Sequence, residues 1–312
     1  MSGPEGRPSR AVLTHQCCFA EDRMRIWPDC IPCILKMSLD LARVSIKEEG
    51  EVKAFMTDIL EMPALRGEEW DILSPEIVRA VWTRVVEITK DPDPLRKIKA
   101  EQNRKALDVY ERAREHVRGR GDPFLAALRL AISGNALDAM VDVTEGRSNT
   151  RFDDGMTLTG EGAEGLQSRL REAKRVVYLL DNCGEIVFDK LFLEVLQEGH
   201  GKDITVVARS LPVLNDATVS EAKSIGLDEV APVIGNGIAA PFPGTKLSLV
   251  SDEVRKLLMA ADLIISKGVG NLDSLTEEPE LRGRISYLFH GKCRPCCAPR
   301  NVPHGTLIVD NL

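Results

Sequence analysis

Between residues 175 and 309 the apolar positions fall into short runs, and longer segments with helical spacing separate them. The runs are Arg175–Leu180, Ile204–Ala208, Glu229–Ile234, Leu263–Ser266, Ile285–Phe289 and Thr306–Val309. Each is too short for a helix, and most are rich in Val, Ile and Leu, as in strands covered on both faces. Glu185–Gln197, Thr218–Ile225, Asp252–Ala260 and Leu272–Leu281 read as the intervening helices. This alternation predicts an α/β fold with a mostly parallel sheet covered by helices.

From Trp27 to about Asp142 the chain reads as helices with hardly any strand signal. Asp29 is placed to cap the first, with Pro32 in its first turn. Ser74-Pro75-Glu76 opens another, with Ile77, Val81, Val85 and Ile88 on one stripe. Asp93-Pro94 opens a longer one, and Asp122-Pro123 one that runs through Ala139. Glu145–Gly165, rich in Asp, Gly, Ser and Thr, marks a boundary. Residues 1–25 have no sustained period and read as a disordered extension. The expected division is therefore a 1–25 extension, a 26–150 helical subdomain and a 151–312 subdomain built on the sheet.

Composition narrows the function. The chain has 312 residues, 48 acidic against 41 basic, and no basic block, which argues against nucleic acid as a partner. It has no apolar stretch of about 18 residues and no charged-then-apolar leader, so a soluble, cytoplasmic protein without a membrane partner is expected. Eight cysteines, as Cys17-Cys18, Cys30/Cys33, Cys183 and Cys293/Cys296/Cys297, are too sparse and uneven for a disulfide scaffold. Cys30 and Cys33, three apart in a first helical turn, are a candidate thiol pair for metal or redox chemistry. Cys293 and Cys296 repeat that spacing. A zinc tetrathiolate would have to join pairs about 260 residues apart, unlike a zinc ribbon, and reduced, partly buried thiols are the plainer reading. The five histidines show no cluster.

Polar chemistry gathers where the strands end. Val176–Leu180 runs into Asp181-Asn182-Cys183-Gly184-Glu185, a strand, turn and helix start, and open α/β sheets bind ligands at such edges. The N-terminus of the following helix suits a phosphate. The loop after the second strand carries Asn215 and Asp216. Asp216 alone reads equally as a helix cap, but with Asp181 and Asn182 it completes three hard oxygen ligands for Mg²⁺, Mn²⁺ or a related ion. Ser266-Lys267-Gly268-Val269-Gly270-Asn271 releases a lysine into a glycine-flanked turn, either to meet a phosphate or to be solvated. Ile234-Gly235-Asn236-Gly237 is a less specific turn, of a hairpin or of a loop. In the helical part Lys99 and Asn103, four apart, share a face, and Asn135 and Asp138 interrupt an apolar helix; all four are expected to face the cleft.

Asp181–Glu185 followed by Ile186-Val187-Phe188-Asp189 resembles the D-N-x-G-E-hydrophobe signature of the damage-control phosphatases, a family first catalogued as a domain of unknown function. Pro212–Thr218 with N-D-A-T, Ser266–Asn271 with S-K-G-x-G-N, Asp93-Pro94…Lys99…Asn103 and Ser133-Gly134-Asn135…Asp138 are similar to its other motifs. Cys30-x-x-Cys33 resembles its archaeal-type branch. The resemblance runs from about Trp27 to the C-terminus, leaving the Cys293–Cys297 cluster uncovered. It implies a helical N-terminal subdomain packed on a Rossmann-like, mostly parallel α/β/α sandwich. The implied activity is metal-dependent hydrolysis of phosphate esters of small metabolites, either sugar phosphates or damaged nucleotide-related metabolites. The family's metal ligands carry over onto Asp181, Asn182 and Asp216, with Mn²⁺, Ni²⁺, Co²⁺ or Mg²⁺ as the ion. Asp181 and Lys267 are the catalytic candidates; Gly184, Glu185, Asn215, Lys267, Gly268, Asn271, Lys99, Asn103, Asn135 and Asp138 are candidate phosphate or substrate contacts. Cys183 departs from the family's usual small residue, and a thiol there would soften the metal's surroundings. Water attack and covalent attack by Asp181 both stay open. A thiolate metal or redox protein would use the cysteines instead. A nucleotide-binding Rossmann protein should show G-x-G-x-x-G after the first strand, where this chain has Asp181-Asn182.

Overall fold

Six strands pair in the order β3-β2-β1-β4-β5-β6: β1 (Arg175–Leu179), β2 (Asp203–Ala208), β3 (Val233–Gly235), β4 (Leu263–Lys267), β5 (Ile285–His290) and β6 (Leu307–Asn311). The computed structural model describes residues 25–134 and 155–312; residues 1–24 of the expected extension, Asn135, Asp138 and residues 145–154 of the expected boundary lie outside them. β1 to β5 run parallel and β6 antiparallel. This is the strand order of doubly wound sheets, in which the chain winds outward from β1 to β3 and then returns to β4 on the other side of β1. The register sets Leu179 level with Val207 and with Ser266, so the loops after β1, β2 and β4 leave one edge side by side at that switch point.

Helices cover the sheet because its strands are apolar on both faces. All of β4 is buried, Lys267 included. On one face α6 (Pro123–Ser133) and α8 (Glu185–His200) meet the sheet, with α7 (Gly160–Glu172) beside them, and Phe124, Leu128 and Ile132 pack with Tyr178, Phe188 and Phe192. The Phe124 and Phe192 rings lie 5.6 Å apart and tilted. On the other face Val254 and Leu258 of α10 (Asp252–Ala260) and Leu272 of α11 (Val269–Leu275) cover Val177, Leu179 and Ile264. A third core joins α1 (Cys30–Ser45), α2 (Glu49–Leu60) and α3 (Ser74–Thr89) around Phe55, Ile59, Val81, Trp82 and Val85. Ala106 of α4 (Arg96–Leu107), Ala113 and Val117 of α5 (Tyr110–Arg118) and the apolar side of α6 belong to the sheet's core, not to that of α1–α3.

Local chemistry shifts several expected bounds. Asp122 caps α6 through Leu125 N–H at 3.0 Å and Ser251 caps α10, but Asp29 makes no capping bond at α1. The helix expected after Asp93-Pro94 is two, α4 and α5. β3 starts only after Pro232, which has no N–H to donate. α11 begins early, where Gly268 turns the chain at φ +79°, and stops before Pro279, which cannot continue a helix. The Gly235-Asn236-Gly237 segment ends a parallel strand, so it is not a hairpin turn. No helix among the described residues is long and apolar enough to cross a membrane.

Candidate functional site

The loops after β1 and β2 are bound to each other by their backbones. Ala217 N–H donates to the Asp181 carbonyl at 2.7 Å and Cys183 N–H to the Asn215 carbonyl at 2.8 Å, with a bridge between Asn182 and Asp216. The three expected ligands are thus brought to one place. Asp216 is not the helix cap. Thr218 and Glu221 form a reciprocal capping box at α9 (Val219–Ser224), with Thr218 N–H donating to Glu221 at 3.0 Å.

Asp181 and Asp216 are both buried. Loss of hydration, then the charges of Asp216 and Glu185, push the Asp181 carboxyl far above the usual carboxylate range. Burial also raises Asp216, opposed by Arg209, whose Nε donates to Asp216 Oδ2 at 2.7 Å. The Asn182 amide donates to Asp181 Oδ2 at 2.7 Å. Gly268 must lack a side chain, because a Cβ there would stand 2.0 Å from Asp181 Oδ2. Two buried carboxylates that disfavour each other's ionised form, beside an amide, make a hard oxygen set whose repulsion a divalent cation would relieve. Among the described residues no three His, Cys, Asp or Glu side chains gather in a metal-holding geometry, so any site here rests on two carboxylates and an amide.

Several expected phosphate contacts prove to be braces. Lys267 is fully buried, and its Nζ donates to the Ala131 carbonyl at 2.7 Å, to Asp189 Oδ1 at 2.5 Å and to Glu185 Oε1. An ammonium has three hydrogens, so none is left for a phosphate. Asn271 is likewise spent. Its Nδ2 donates to the Leu180 and Lys267 carbonyls at 3.1 and 2.8 Å, and its Oδ1 accepts from Arg209 Nη1 at 3.0 Å and Thr245 Oγ1 at 2.9 Å. Gly184, at φ +82°, gives its N–H to Asn103 Oδ1 at 2.6 Å. Lys99 is buried between Asp93 and Glu221 at 2.7 Å each. Asn103 therefore fastens α4 to the loop after β1 and Lys99 fastens it to α9, and neither lines the cavity at this site. Asn215 meets Gln102 at 3.5 Å. The Cys183 side chain is buried in the core with Tyr178 and Phe188, and burial raises its thiol, which keeps it a neutral, apolar-packed group.

A cavity of about 330 Å³ opens here, within the size of small-molecule sites. Asp181, Asn182, Glu185, Gly268, Asp273 and Lys292 line it, together with Cys30, Cys33, Cys293 and Cys296; Asp216 and Lys267 do not. Glu185 Oε2 is buried without a hydrogen-bond partner.

Sequence reasoning missed three residues. Arg209 clamps Asp216, Asn271 and the Gly244 carbonyl. Asp189, accepting from Tyr178 Oη at 2.7 Å and held near pH 6 chiefly by burial, shares Lys267 with Glu185. The third, Lys292, is exposed at the cavity and makes no ion pair among the described residues. The signals were present: Glu185 and Asp189 are four apart on one helix face, Arg209 directly follows β2, and Lys292 follows β5 at the same sheet edge.

Comparison with known proteins bears on the family and the fold. An uncharacterized protein of Methanocaldococcus jannaschii is 32% identical, covering 93% of this chain and 97% of its own. A damage-control phosphatase of Archaeoglobus fulgidus is 31% identical, with 92% and 99% covered. Another from Pyrococcus horikoshii is 27% identical, with 91% and 97% covered. In fold the chain is similar to the crystal structure of a DUF89 family protein from Pyrococcus horikoshii, with a TM-score of 0.80 and 24% identity over 93% of this chain and all of that one. Residues 26–308 match the damage-control phosphatase ARMT1-like domain, and the chain belongs to that family.

Proposed function

We propose that the protein is a metal-dependent phosphomonoester hydrolase of small phosphorylated metabolites, with sugar phosphates or damaged nucleotide-related metabolites as its substrate class. The observation that carries this reading is the pairing of buried Asp181 and Asp216 with Asn182 at the switch point of the sheet, where Asp181 and Asn182 open on a metabolite-sized cavity. The relatives named damage-control phosphatases support it.

Asp181, Asn182 and Asp216 would hold a divalent ion such as Mn²⁺, Ni²⁺, Co²⁺ or Mg²⁺, which supplies Lewis acidity toward a phosphoryl oxygen and an attacking water. Arg209 orients Asp216 and favours its ionised form against the cost of burial. Lys267 and the helix start fix Glu185, whose unpartnered Oε2 can take a proton from the nucleophile or hold it in line. Lys292 at the cavity offsets the charge of the entering phosphate.

Phosphate release from a panel of phosphorylated metabolites, each with the four ions in turn, tests the reading. Release should need an added ion, stop with a chelator and return when the ion is restored. Asp181→Asn is close to isosteric and should keep the fold while lowering kcat by about 10² or more. Folded protein that releases no phosphate from any ester with any ion would remove the proposal, and an Asp181→Asn rate within about twofold of wild type would remove the role of Asp181.

A further inference from the structure

The cavity has a second set of reactive groups, which hydrolysis does not use. Cys293 and Cys296, at the start of α12 (Arg294–Cys297), have sulfurs 3.4 Å apart that share a hydrogen bond. Cys293 is half-buried and Cys296 is 1% exposed, so one sulfur can meet a reagent and the other is shielded behind it. Both line the cavity, together with Cys30 and Cys33 of α1. Among the described residues no three thiols are gathered to hold a metal, which favours a two-sulfur reaction over a four-thiolate site.

We infer that Cys293 and Cys296 are a redox-active dithiol in the wall of the cavity, which low-molecular-weight disulfides such as oxidised glutathione convert to a disulfide. The Cys293 thiolate attacks one sulfur of the oxidised glutathione and expels the other half as glutathione thiolate. The Cys296 thiol gives its proton to that thiolate and attacks Cys293 Sγ, expelling a second glutathione. Two protein thiols are oxidised and one small disulfide is reduced to two thiols. The sulfurs need approach by only roughly 1.4 Å to reach bonding distance. The hydrogen bond with Cys296 holds the Cys293 thiol down at about 6, which favours the attacking thiolate, whereas burial raises Cys30 and Cys33. This inference does not rest on the hydrolase reading.

The test equilibrates the full-length protein in mixtures of reduced and oxidised glutathione, alkylates the remaining thiols and maps the peptides by mass, with zinc measured on the untreated protein. One disulfide should appear at Cys293–Cys296, titrating against the glutathione ratio. Cys296→Ser should instead trap glutathione on Cys293, and Cys293→Ser should abolish both products. Full alkylation of Cys293 and Cys296 at the oxidising end would overturn the inference. So would a disulfide confined to other cysteines, or zinc in equal amount with the chain, released when these four thiols are blocked.

Discussion

Lys267 decides between two accounts of one residue. A lysine solvated in a glycine-flanked turn would be free to meet a phosphate, whereas this one lies between Glu185, Asp189 and a helix carbonyl with no hydrogen left over. Lys267→Met should therefore act first on folding. It leaves two carboxylates buried without their cation, a change that typically costs about 3–5 kcal/mol. Asp189, already raised to about 6, would rise further without the lysine. Protonating it relieves the loss, so the variant's deficit in urea midpoint relative to wild type should be smaller at pH 5 than at pH 7.5. A variant with wild-type stability and a lowered kcat would restore the phosphate contact. The sequence showed Lys267 at the right sheet edge, because a short apolar run and two glycines fix where a strand stops. It did not show the lysine's partners, since a lysine's neighbours come from helices whose approach no local pattern specifies.

The loop from β2 to α9 ties one element's packing to another's chemistry. Val213 is fully buried in the core of α1–α3, and Leu214 follows with a left-handed φ of +46°, unusual for a leucine. Two residues on, Asp216 turns back to the site. Val213→Ala should leave a cavity costing about 2 kcal/mol and let the Asp216 backbone drift from its bridge with Asn182. Titration with Mn²⁺ should then show affinity several-fold weaker than wild type although no ligand has changed; unchanged affinity would mean that the backbone bonds of Cys183 and Ala217 alone hold the loop. Strand and helix order was readable at this scale from apolar spacing. The division of the helices was less so: α4–α6 look like α1–α3 in sequence, yet they bury their apolar sides in the core that covers the sheet.

At the scale of the whole molecule, the cavity lies where α1, the edge of the sheet and the connection from β5 to β6 converge. Asp181, Asn182 and Asp216 were legible as a set because parallel strands deliver their loops to one edge, but the cavity's cysteine wall joins segments about 260 residues apart and was not. A site built on two buried carboxylates also sets how the fold responds to pH. Asp181 and Asp216 are both raised above their unfolded values, so at these two groups the folded chain holds more protons than the unfolded one. The stability they contribute is therefore complete below about pH 4 and is lost as pH rises toward neutral. Asp181→Asn removes one of the two carboxylates, and without metal this variant should gain stability relative to wild type between pH 5 and pH 7.5. Saturating Mn²⁺ should reverse the order at pH 7.5. At a hundred times its dissociation constant a ligand adds about 2.7 kcal/mol to wild type, and the variant, lacking a charged ligand, should gain much less. Thermal unfolding of both proteins at the two pH values, with and without Mn²⁺, measures all of this. If metal-free wild type instead gained on the variant as pH rose, the ionised Asp181 would already have a sufficient counter-charge within the chain, and no cation would be needed to complete the site.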